Sequence, residues 1–268
     1  MPELTRRSLS GDQDFDSLVE SACDVPLSGW DFSFLAGRTT SEPLPWSYVN
    51  LAAAAAHRAA RVLDIDTGGG EVLVTIGPPV GSIAVEPYPP NVAVAKATLQ
   101  PLGVEVRPRT TTQLPVPDAA FDLVLNRHGA LHPAEVVRVL RPGGVFLTQQ
   151  VGAYNDTEFN ETFGWEAVDF GVVGAVNQAE KTLAEAGLRV TRIAEAWPRT
   201  RYLDIGAVVL QLRAVPWQVP GFDVERDRAR LQAIHHVIVE EGSFTVTNHR
   251  LLLEATLPWA SPTTAGPA

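Results

Sequence analysis

The segment between Arg61 and Gln149 alternates short apolar runs with stretches of helical pattern, and this alternation restricts the fold more than any other feature of the chain. The helical stretches are Asn91–Leu102 and Ala134–Leu140. The apolar runs predict five strands: Arg61–Ile65, Ser82–Val85, Val104–Arg107, Phe121–Leu125 and Val145–Gln149. Strands that alternate with helices form βαβ units around a parallel sheet, and the functional loops of such a sheet lie at the carboxyl ends of its strands.

The flanking segments have a less regular pattern. Residues 1–50 hold scattered aromatic side chains and prolines and are predicted to form an N-terminal cap. Residues 51–260 are predicted to form the core domain, with a helical insertion at 198–246, and residues 261–268 to form a flexible tail. Further helices are predicted over Leu51–Ala60, Gln178–Ala186, Ile205–Val215 and Val224–Glu240, and further strands over Leu188–Trp197 and Arg250–Leu257.

The charge and cysteine content narrow the classes of function. With 21 Lys and Arg against 31 Asp and Glu, the formal net charge is −10, which disfavours a protein that grips a nucleic-acid backbone. Cys23 is the single cysteine, so no intrachain disulfide and no cysteine-based zinc site can form. The N-terminal sequence has no apolar signal region, and no apolar stretch is long enough to span a bilayer. The sequence therefore predicts a cytoplasmic protein with no membrane and no nucleic-acid partner.

Three consecutive glycines follow the first predicted strand, at Gly68, Gly69 and Gly70. Glycines at this position let the backbone approach a ligand, which is commonly a nucleotide; the alternative is a tight strand-to-helix turn without a ligand. Glu86 ends the next strand, 22 positions after Asp64, where a carboxylate can accept hydrogen bonds from both hydroxyls of a ribose. The turn departs from the dinucleotide fingerprint, because Leu73 stands at the last glycine position, and the chain contains no P-loop motif.

Four parts of the segment from Arg61 to Gln150 together resemble the class I S-adenosylmethionine-dependent methyltransferases. These parts are VLDIDTGGGE at residues 62–71, AVEP at 84–87, LPVPDAAFDLVL at 114–125 and VLRPGGVFL at 139–147. The resemblance implies an α/β fold with a Rossmann-like, doubly wound sheet of seven strands, the last of them antiparallel, in agreement with the strand predicted at Arg250–Leu257. It also implies S-adenosylmethionine as the cofactor and S-adenosylhomocysteine as its product.

The resemblance assigns cofactor contacts to the ends of four strands and the loops that follow them. Asp64 and the turn formed by Asp66, Thr67, Gly68, Gly69 and Gly70 would hold the methionine part. Glu86 would hold the ribose and Pro87 would lie beside the adenosine. The remaining contacts would come from Thr111 and Gln113 near the adenine, and from Asn126, which would face the methyl donor.

Two positions depart from the family pattern. Asp66 stands where the family has its first glycine; aspartate tolerates the unusual backbone angles of such a turn. Its charge could meet the cationic cofactor, weaken cofactor binding, or mark a member that no longer methylates. Thr110 stands where the family often has an aspartate near the adenine amino group, and its hydroxyl is a weaker acceptor.

Methyl transfer from a sulfonium is an in-line displacement that needs alignment, and it needs a base only if the acceptor must lose a proton. His128 is the first candidate base and His132 the second; the alternative for each is a structural loop histidine. Gln149 and Gln150 could hydrogen-bond the acceptor, and Trp46 and Tyr48 could cover the cofactor. No metal site is predicted. The function predicted is methylation of a small molecule by a monomer or homodimer; the alternatives are an RNA or protein methyltransferase and a non-catalytic cofactor-binding protein.

Overall fold

The computed structural model describes residues 3–27, 32–166 and 176–259, with side chains from residue 14 onward. The predicted tail at 261–268 lies outside the described residues. The helices and strands in chain order are α1 (Glu3–Asp24), β1 (Thr39–Ser41), α2 (Tyr48–Ala56), β2 (Val62–Ile65), α3 (Glu71–Ile76), β3 (Ile83–Glu86), α4 (Pro89–Leu99), β4 (Glu105–Pro108), β5 (Phe121–Arg127), α5 (Pro133–Val139), β6 (Leu140–Val151), α6 (Thr157–Phe163), α7 (Val176–Glu185), β7 (Arg189–Ala196), β8 (Arg199–Tyr202), α8 (Ile205–Ala214), α9 (Arg228–Glu241), β9 (Phe244–Thr247) and β10 (Arg250–Thr256).

The chain divides into two compact units, each assembled from three segments. The core unit comprises Pro45–Gly152, Phe170–Glu195 and Arg250–Ala268, and the helical unit comprises Met1–Leu44, Ala153–Asp169 and Ala196–His249. No helix among the described residues is long and apolar enough to cross a membrane.

The core unit contains a seven-stranded sheet in the order β4-β3-β2-β5-β6-β10-β7. The pairs β3–β4, β2–β3, β2–β5 and β5–β6 are parallel, whereas β10 runs antiparallel to β6. The predicted α/β fold, with seven strands and an antiparallel last strand, is confirmed. The strand order reverses between β2 and β5, and ligands of open α/β sheets bind at such a switch point, outside the carboxyl ends of the strands.

Apolar side chains cover both faces of the sheet, as the near-continuous apolar runs predict for parallel strands. Successive residues of a strand point to opposite faces, so Leu63 joins one apolar cluster with Leu183 of α7, and Val62 joins another with Ala52 of α2. Helices therefore lie on both faces, which leaves the strand ends as the place where polar side chains gather.

Two elements begin at least three residues earlier than the sequence pattern predicts. Helix α2 starts at Tyr48 rather than Leu51, because the Ser47 side chain accepts a hydrogen bond from the Asn50 N–H at 3.2 Å and caps the helix. Strand β6 starts at Leu140, since Phe121 pairs with Leu140 and Leu123 with Val145. The residues 141–144 between these pairs form an irregularity within the strand.

The helical unit contains the three-stranded sheet β1-β8-β9, which the sequence pattern does not predict. The Ser41 and Thr200 hydroxyls lie 2.9 Å apart across β1 and β8, so the N-terminal segment and the segment predicted as an insertion pair within one unit. The helices predicted at Ile205–Val215 and Val224–Glu240 correspond to α8 and α9. The domain boundaries drawn from the sequence stay predictions.

Candidate functional site

Three polar side chains of neighbouring strands are buried at the carboxyl edge of the sheet. Asp64 on β2 is 8% exposed, Glu86 at the end of β3 is 2% exposed, and Asn126 on β5 is 1% exposed. The register places Ile65 opposite Asn126, so these strand ends lie side by side. The structure thus brings together the strand-end residues that the sequence predicts for one site.

The three glycines of the turn between β2 and α3 differ in what surrounds them. Gly68 and Gly70 have φ values of 64° and 90°, the left-handed region that favours glycine. A Cβ on Gly70 would lie 2.7 Å from Leu99 Cγ, so this glycine permits close packing of the turn on α4. A Cβ on Gly69 would collide with the Glu71 carboxylate, whereas one on Gly68 would meet nothing within 4 Å. Gly68 therefore faces open space that a ligand can occupy.

The Glu86 carboxylate organises the turn from the neighbouring strand. It accepts hydrogen bonds from the Gly68 N–H at 2.7 Å and the Tyr88 N–H at 2.8 Å. Desolvation raises the pKa of Glu86, and these two backbone hydrogen bonds oppose the rise. Each carboxylate oxygen has a further lone-pair direction, so Glu86 can still accept hydrogen bonds from a ligand. Pro87, which follows it, is exposed.

Asp64 lies between the other strand-end residues of the site and is buried from solvent. Desolvation raises its pKa from 3.8 to about 7, the charges of Asp66 and Glu86 add to the rise, and the Thr67 hydroxyl and Arg127 oppose it. The Tyr48 ring is buried beside it, and desolvation together with the Asp64 charge raises the pKa of the Tyr48 hydroxyl well above its usual value. Asp64 is thus a carboxyl group whose charge is poorly compensated by the protein itself.

Asp66, the residue that replaces the family's first glycine, is paired. It adopts a φ of 58°, so the aspartate does take the left-handed backbone of the turn. One oxygen forms an ion pair with Arg109 Nη2 at 2.7 Å, and the other accepts a hydrogen bond from the Ala130 N–H at 2.9 Å. The two charged side chains are only 13% and 8% exposed. The negative charge of Asp66 is therefore compensated by a cation of this chain.

Arg109 is a site residue that the sequence analysis does not single out. It follows β4, and its backbone N–H donates to the Glu86 carbonyl at 3.0 Å. Its position in the sequence is the one signal that could have indicated the ion pair. Arg109 is a basic residue directly after the parallel strand β4, and Asp66 is an unexpected acid directly after the parallel strand β2. Neither residue alone predicts the pairing.

The residues predicted to lie near the adenine are on the same side of the sheet. Thr111 and Gln113 are exposed and follow β4; the Thr111 hydroxyl donates to the Gln113 carbonyl at 3.4 Å. Together with Arg107 and Pro115 they line a surface groove with a volume of about 470 Å³. This groove offers room beside the loop that the resemblance assigns to the adenine.

Asn126 is held from three sides by hydrogen bonds. Its amide nitrogen donates to the Ile65 carbonyl at 3.2 Å, and its oxygen accepts from the Thr148 hydroxyl at 3.3 Å and from the Gln150 amide. The side chain ties β5 to β2 and β6, so both Asn126 and Gln150 are engaged within the protein.

His128 occupies a constrained position after β5. Its φ is 58°, and its backbone N–H donates to the Gln149 carbonyl at 2.8 Å. The ring keeps contact with solvent, but surrounding protein displaces much of the water near it; this desolvation, with the charges of Arg127 and Arg250, lowers the pKa of His128 well below its usual value. Its Nε2 lies 3.0 Å from Gln149 Nε2, and Trp46 Nε1 donates to Gln149 Oε1 at 2.9 Å. Use of Nε2 as a base would require this contact to break.

His132 lies apart from these contacts. It directly precedes α5, and with Asn126 and Ala130 it lines a cavity of about 10 Å³. A cavity of this size holds no more than a water molecule. Among the described residues, no group of three or more His, Cys, Asp and Glu side chains is arranged to hold a metal ion.

The site fits a ligand with many polar atoms. Four buried polar atoms near the carboxylates form no well-aligned hydrogen bond within the protein: Tyr48 Oη, Thr67 Oγ1, Asn91 Nδ2 and Arg109 Nε. Thr67 and Asn91 nevertheless lie close enough to Asp64 and Glu86 to lower the pKa values of these carboxyl groups. Buried polar atoms in native proteins are nearly all paired, so such a cluster indicates partners supplied by a ligand. A nucleoside linked to an amino acid has the hydroxyl, carboxylate and ammonium groups that these atoms and the open space at Gly68 can accommodate.

The segment that carries the strand-end site is similar to known proteins. Residues 63–148 match the family model described as a methyltransferase domain. The chain is 28% identical over 182 residues to a ubiquinone biosynthesis O-methyltransferase of Brucella anthropi, covering 57% of this chain and 73% of that protein. It is 35% identical over 112 residues to the uncharacterised methyltransferase YcgJ of Bacillus subtilis, covering 38% of this chain and 44% of YcgJ.

The fold also has relatives among solved structures. The YcgJ structure superposes with a TM-score of 0.57 at 19% identity, covering 80% of this chain and 99% of YcgJ. A functionally unknown protein from Deinococcus radiodurans R1 superposes with a TM-score of 0.57 at 16% identity, covering 84% and 96% of the two chains. At these identities the similarity shows a shared fold.

Proposed function

Because the chain belongs to the class I S-adenosylmethionine-dependent methyltransferases, we propose that it moves the methyl group of this cofactor to a small-molecule acceptor by in-line displacement. The net charge of −10 supports a small acceptor over a nucleic acid. Relatives named as ubiquinone biosynthesis O-methyltransferases support a hydroxyl group as the atom methylated. The cytoplasmic location and the monomeric or homodimeric state stay predictions.

The observation that carries the proposal is the open space at Gly68, next to the buried Glu86 carboxylate that accepts a hydrogen bond from the Gly68 N–H. Glu86 would accept hydrogen bonds from the ribose hydroxyls, because its oxygens are fixed by the Gly68 and Tyr88 amides. The backbone from Thr67 to Gly70 would hold the methionine part, and Thr111 and Gln113 would lie beside the adenine.

S-adenosylmethionine, when bound, supplies a methyl group that is already activated on a sulfonium. The residues of this chain therefore contribute alignment and exclusion of water. Asp64, deeply buried and poorly compensated, would become ionised beside the cofactor's ammonium group. Asp66 would not act in the same way, since its charge is already paired with Arg109. A role of His128 or His132 as a general base stays a prediction.

Transfer of a radiolabelled methyl group tests the proposal. The purified protein with labelled S-adenosylmethionine is expected to label members of a panel of phenolic and other hydroxyl compounds. Labelling should fall by at least tenfold in a Glu86→Ala variant, since a hydrogen bond to a charged group is worth about 1.5–3 kcal/mol. Parallel samples contain total RNA and denatured protein instead of small molecules. Labelling of RNA or protein alone, or of nothing by a protein that binds the cofactor, would contradict the small-molecule assignment.

A further inference from the structure

Trp46, Gln149 and His128 form a chain of side-chain contacts beside the proposed active site. Trp46 Nε1 donates to Gln149 Oε1 at 2.9 Å, and Gln149 Nε2 lies 3.0 Å from His128 Nε2. Trp46 precedes α2, Gln149 lies on β6, and His128 follows β5, so the contacts connect three places within the Pro45–Gly152 segment of the core unit. The geometry determines which atoms carry the protons.

The direction of each hydrogen bond follows from the chemistry of the indole. An indole N–H can only donate, so the Gln149 oxygen must face Trp46. The Gln149 NH₂ group must then face His128, and an amide NH₂ can only donate. His128 Nε2 therefore accepts with its lone pair, and in the neutral ring the proton resides on Nδ1. Protonation of Nε2 would set two donors against each other at 3.0 Å.

The charged groups around the ring act in the same direction. Desolvation by the surrounding protein is the largest effect that disfavours a positive charge on His128, and the charges of Arg127 on β5 and Arg250 on β10 add to it. Together with the Gln149 contact they keep the imidazole uncharged. Its Nε2 lone pair is engaged, so Nδ1–H is the ring atom left to meet a ligand.

We propose that Trp46 and Gln149 are positioning residues that fix the tautomer of His128, and that His128 donates a hydrogen bond from Nδ1–H to the methyl acceptor rather than removing its proton. The donor role of His128 rests on the proposed function. A hydrogen bond from Nδ1 to an acceptor oxygen would orient that atom for attack on the methyl group. The proton of a hydroxyl acceptor would pass to solvent water, so that the ionised oxygen forms the new bond to the methyl carbon as the carbon–sulfur bond breaks, and no proton is transferred to His128 in this role.

Nitrogen-15 spectroscopy of ring-labelled histidine tests the tautomer without any activity measurement. In the parent protein, the His128 signals, assigned by their loss in His128→Asn, should show a protonated Nδ1 and an unprotonated Nε2 at neutral pH. Gln149→Glu keeps the shape but presents a carboxylate, which accepts from Trp46 and also from the histidine. The proton should then move to Nε2, and the pKa of His128 should rise by about 1 to 3.

Two further variants complete the spectroscopic test. Gln100→Glu adds the same charge at an exposed position and should leave the His128 signals unchanged. Trp46→Phe removes the donor that orients the amide, so Gln149 can turn over and the His128 tautomers should become mixed. A parent ring protonated on Nε2, or a Gln149→Glu variant with an unchanged His128 titration, would overturn the proposal.

The donor role is separated from the base role by substitution of His128. Asparagine can donate a hydrogen bond, cannot act as a base at neutral pH, and tolerates the φ of 58° found here. The donor role predicts that His128→Asn retains methylation within about tenfold of the parent and exceeds His128→Ala, whereas loss of a general base costs about 100-fold or more in both. Equal losses of that size in both variants would overturn the donor role.

Calorimetry with S-adenosylhomocysteine on the same samples separates the two proposals. A parent that shows the Nδ1 tautomer but binds no cofactor product would refute the proposed function and leave the tautomer assignment intact. A parent that binds the product but shows the Nε2 tautomer would refute the positioning role of Trp46 and Gln149 alone.

Discussion

Replacement of Asp64 by asparagine should stabilise the protein while it weakens cofactor binding. Asp64 is buried, and its pKa in the folded chain is about 7 against 3.8 in the unfolded chain. Between these values the folded state holds a proton that the unfolded state has released. Stability therefore falls as pH rises through this window, because ionising the buried carboxyl in the folded state is unfavourable. Asparagine has nearly the same shape and no charge to bury.

The size of the effect follows from the pKa difference. A rise of about 3 in pKa, at about 1.4 kcal/mol for each unit, corresponds to a cost of about 4 kcal/mol above pH 7. At pH 5 only about 2 kcal/mol of this cost is present, because the folded-state carboxyl is still protonated. The advantage of Asp64→Asn over the parent should therefore grow by about 2 to 3 kcal/mol between pH 5 and pH 8.

Urea unfolding without cofactor, followed by tryptophan fluorescence and circular dichroism at pH 5 and pH 8, measures this advantage. Asp24→Asn, at an exposed position, is the matched control for removal of a carboxyl group. The reasoning is refuted if the difference in free energy of unfolding between Asp64→Asn and the parent is the same at both pH values. The same variant should bind S-adenosylhomocysteine at least tenfold more weakly, since it lacks the charge that faces the ammonium group.

Three further predictions concern the same loops. The affinity of the parent for S-adenosylhomocysteine should increase through pH 7 as Asp64 ionises, and calorimetry between about pH 5.5 and about pH 8.5 measures this increase. An affinity that does not change with pH would contradict the role of the Asp64 charge. Gly68→Ala should weaken binding at least tenfold because its Cβ enters the ligand space, whereas Gly77→Ala, with a similar φ of 71° and equally open surroundings, should lower only the melting temperature. Arg109→Ala should destabilise the protein by about 3–5 kcal/mol in urea unfolding, because it leaves the Asp66 carboxylate unpaired. Adding Asp66→Asn to this variant should restore most of the lost stability. A double variant that is no more stable than Arg109→Ala would contradict the pairing.

The sequence predicts the seven-stranded sheet well because its information is local. Each buried parallel strand is an apolar run, and turn residues separate strand from helix, so Val62–Ile65 and Phe121–Arg127 are visible without knowledge of their neighbours. The antiparallel strand Arg250–Thr256 is equally apolar, and the resemblance supplied its direction. The strand ends Asp64 and Glu86 follow from the same pattern, because parallel strands bring their carboxyl ends to one edge.

The remaining features depend on partners that are distant in sequence. Strand β1 is three residues long and pairs with β8 more than 150 residues later along the chain, so nothing local indicates it. The ion pair of Asp66 with Arg109 crosses 43 positions, and the contact of His128 with Gln149 crosses 21. Patterns of burial do not encode such polar pairings, which is why the predicted base at His128 carries a hydrogen bond that the sequence did not suggest.

We propose that the carboxyl edge of β2 and β3 binds S-adenosylmethionine through Glu86. Isothermal titration of S-adenosylhomocysteine into the parent, Glu86→Gln and Glu86→Ala tests this claim directly. We predict saturable one-to-one binding to the parent and a dissociation constant at least tenfold higher in both variants, with glutamine less impaired because it keeps a hydrogen-bond acceptor for the Gly68 amide. Binding of equal strength in all three proteins, or no binding to the folded parent, would contradict the claim.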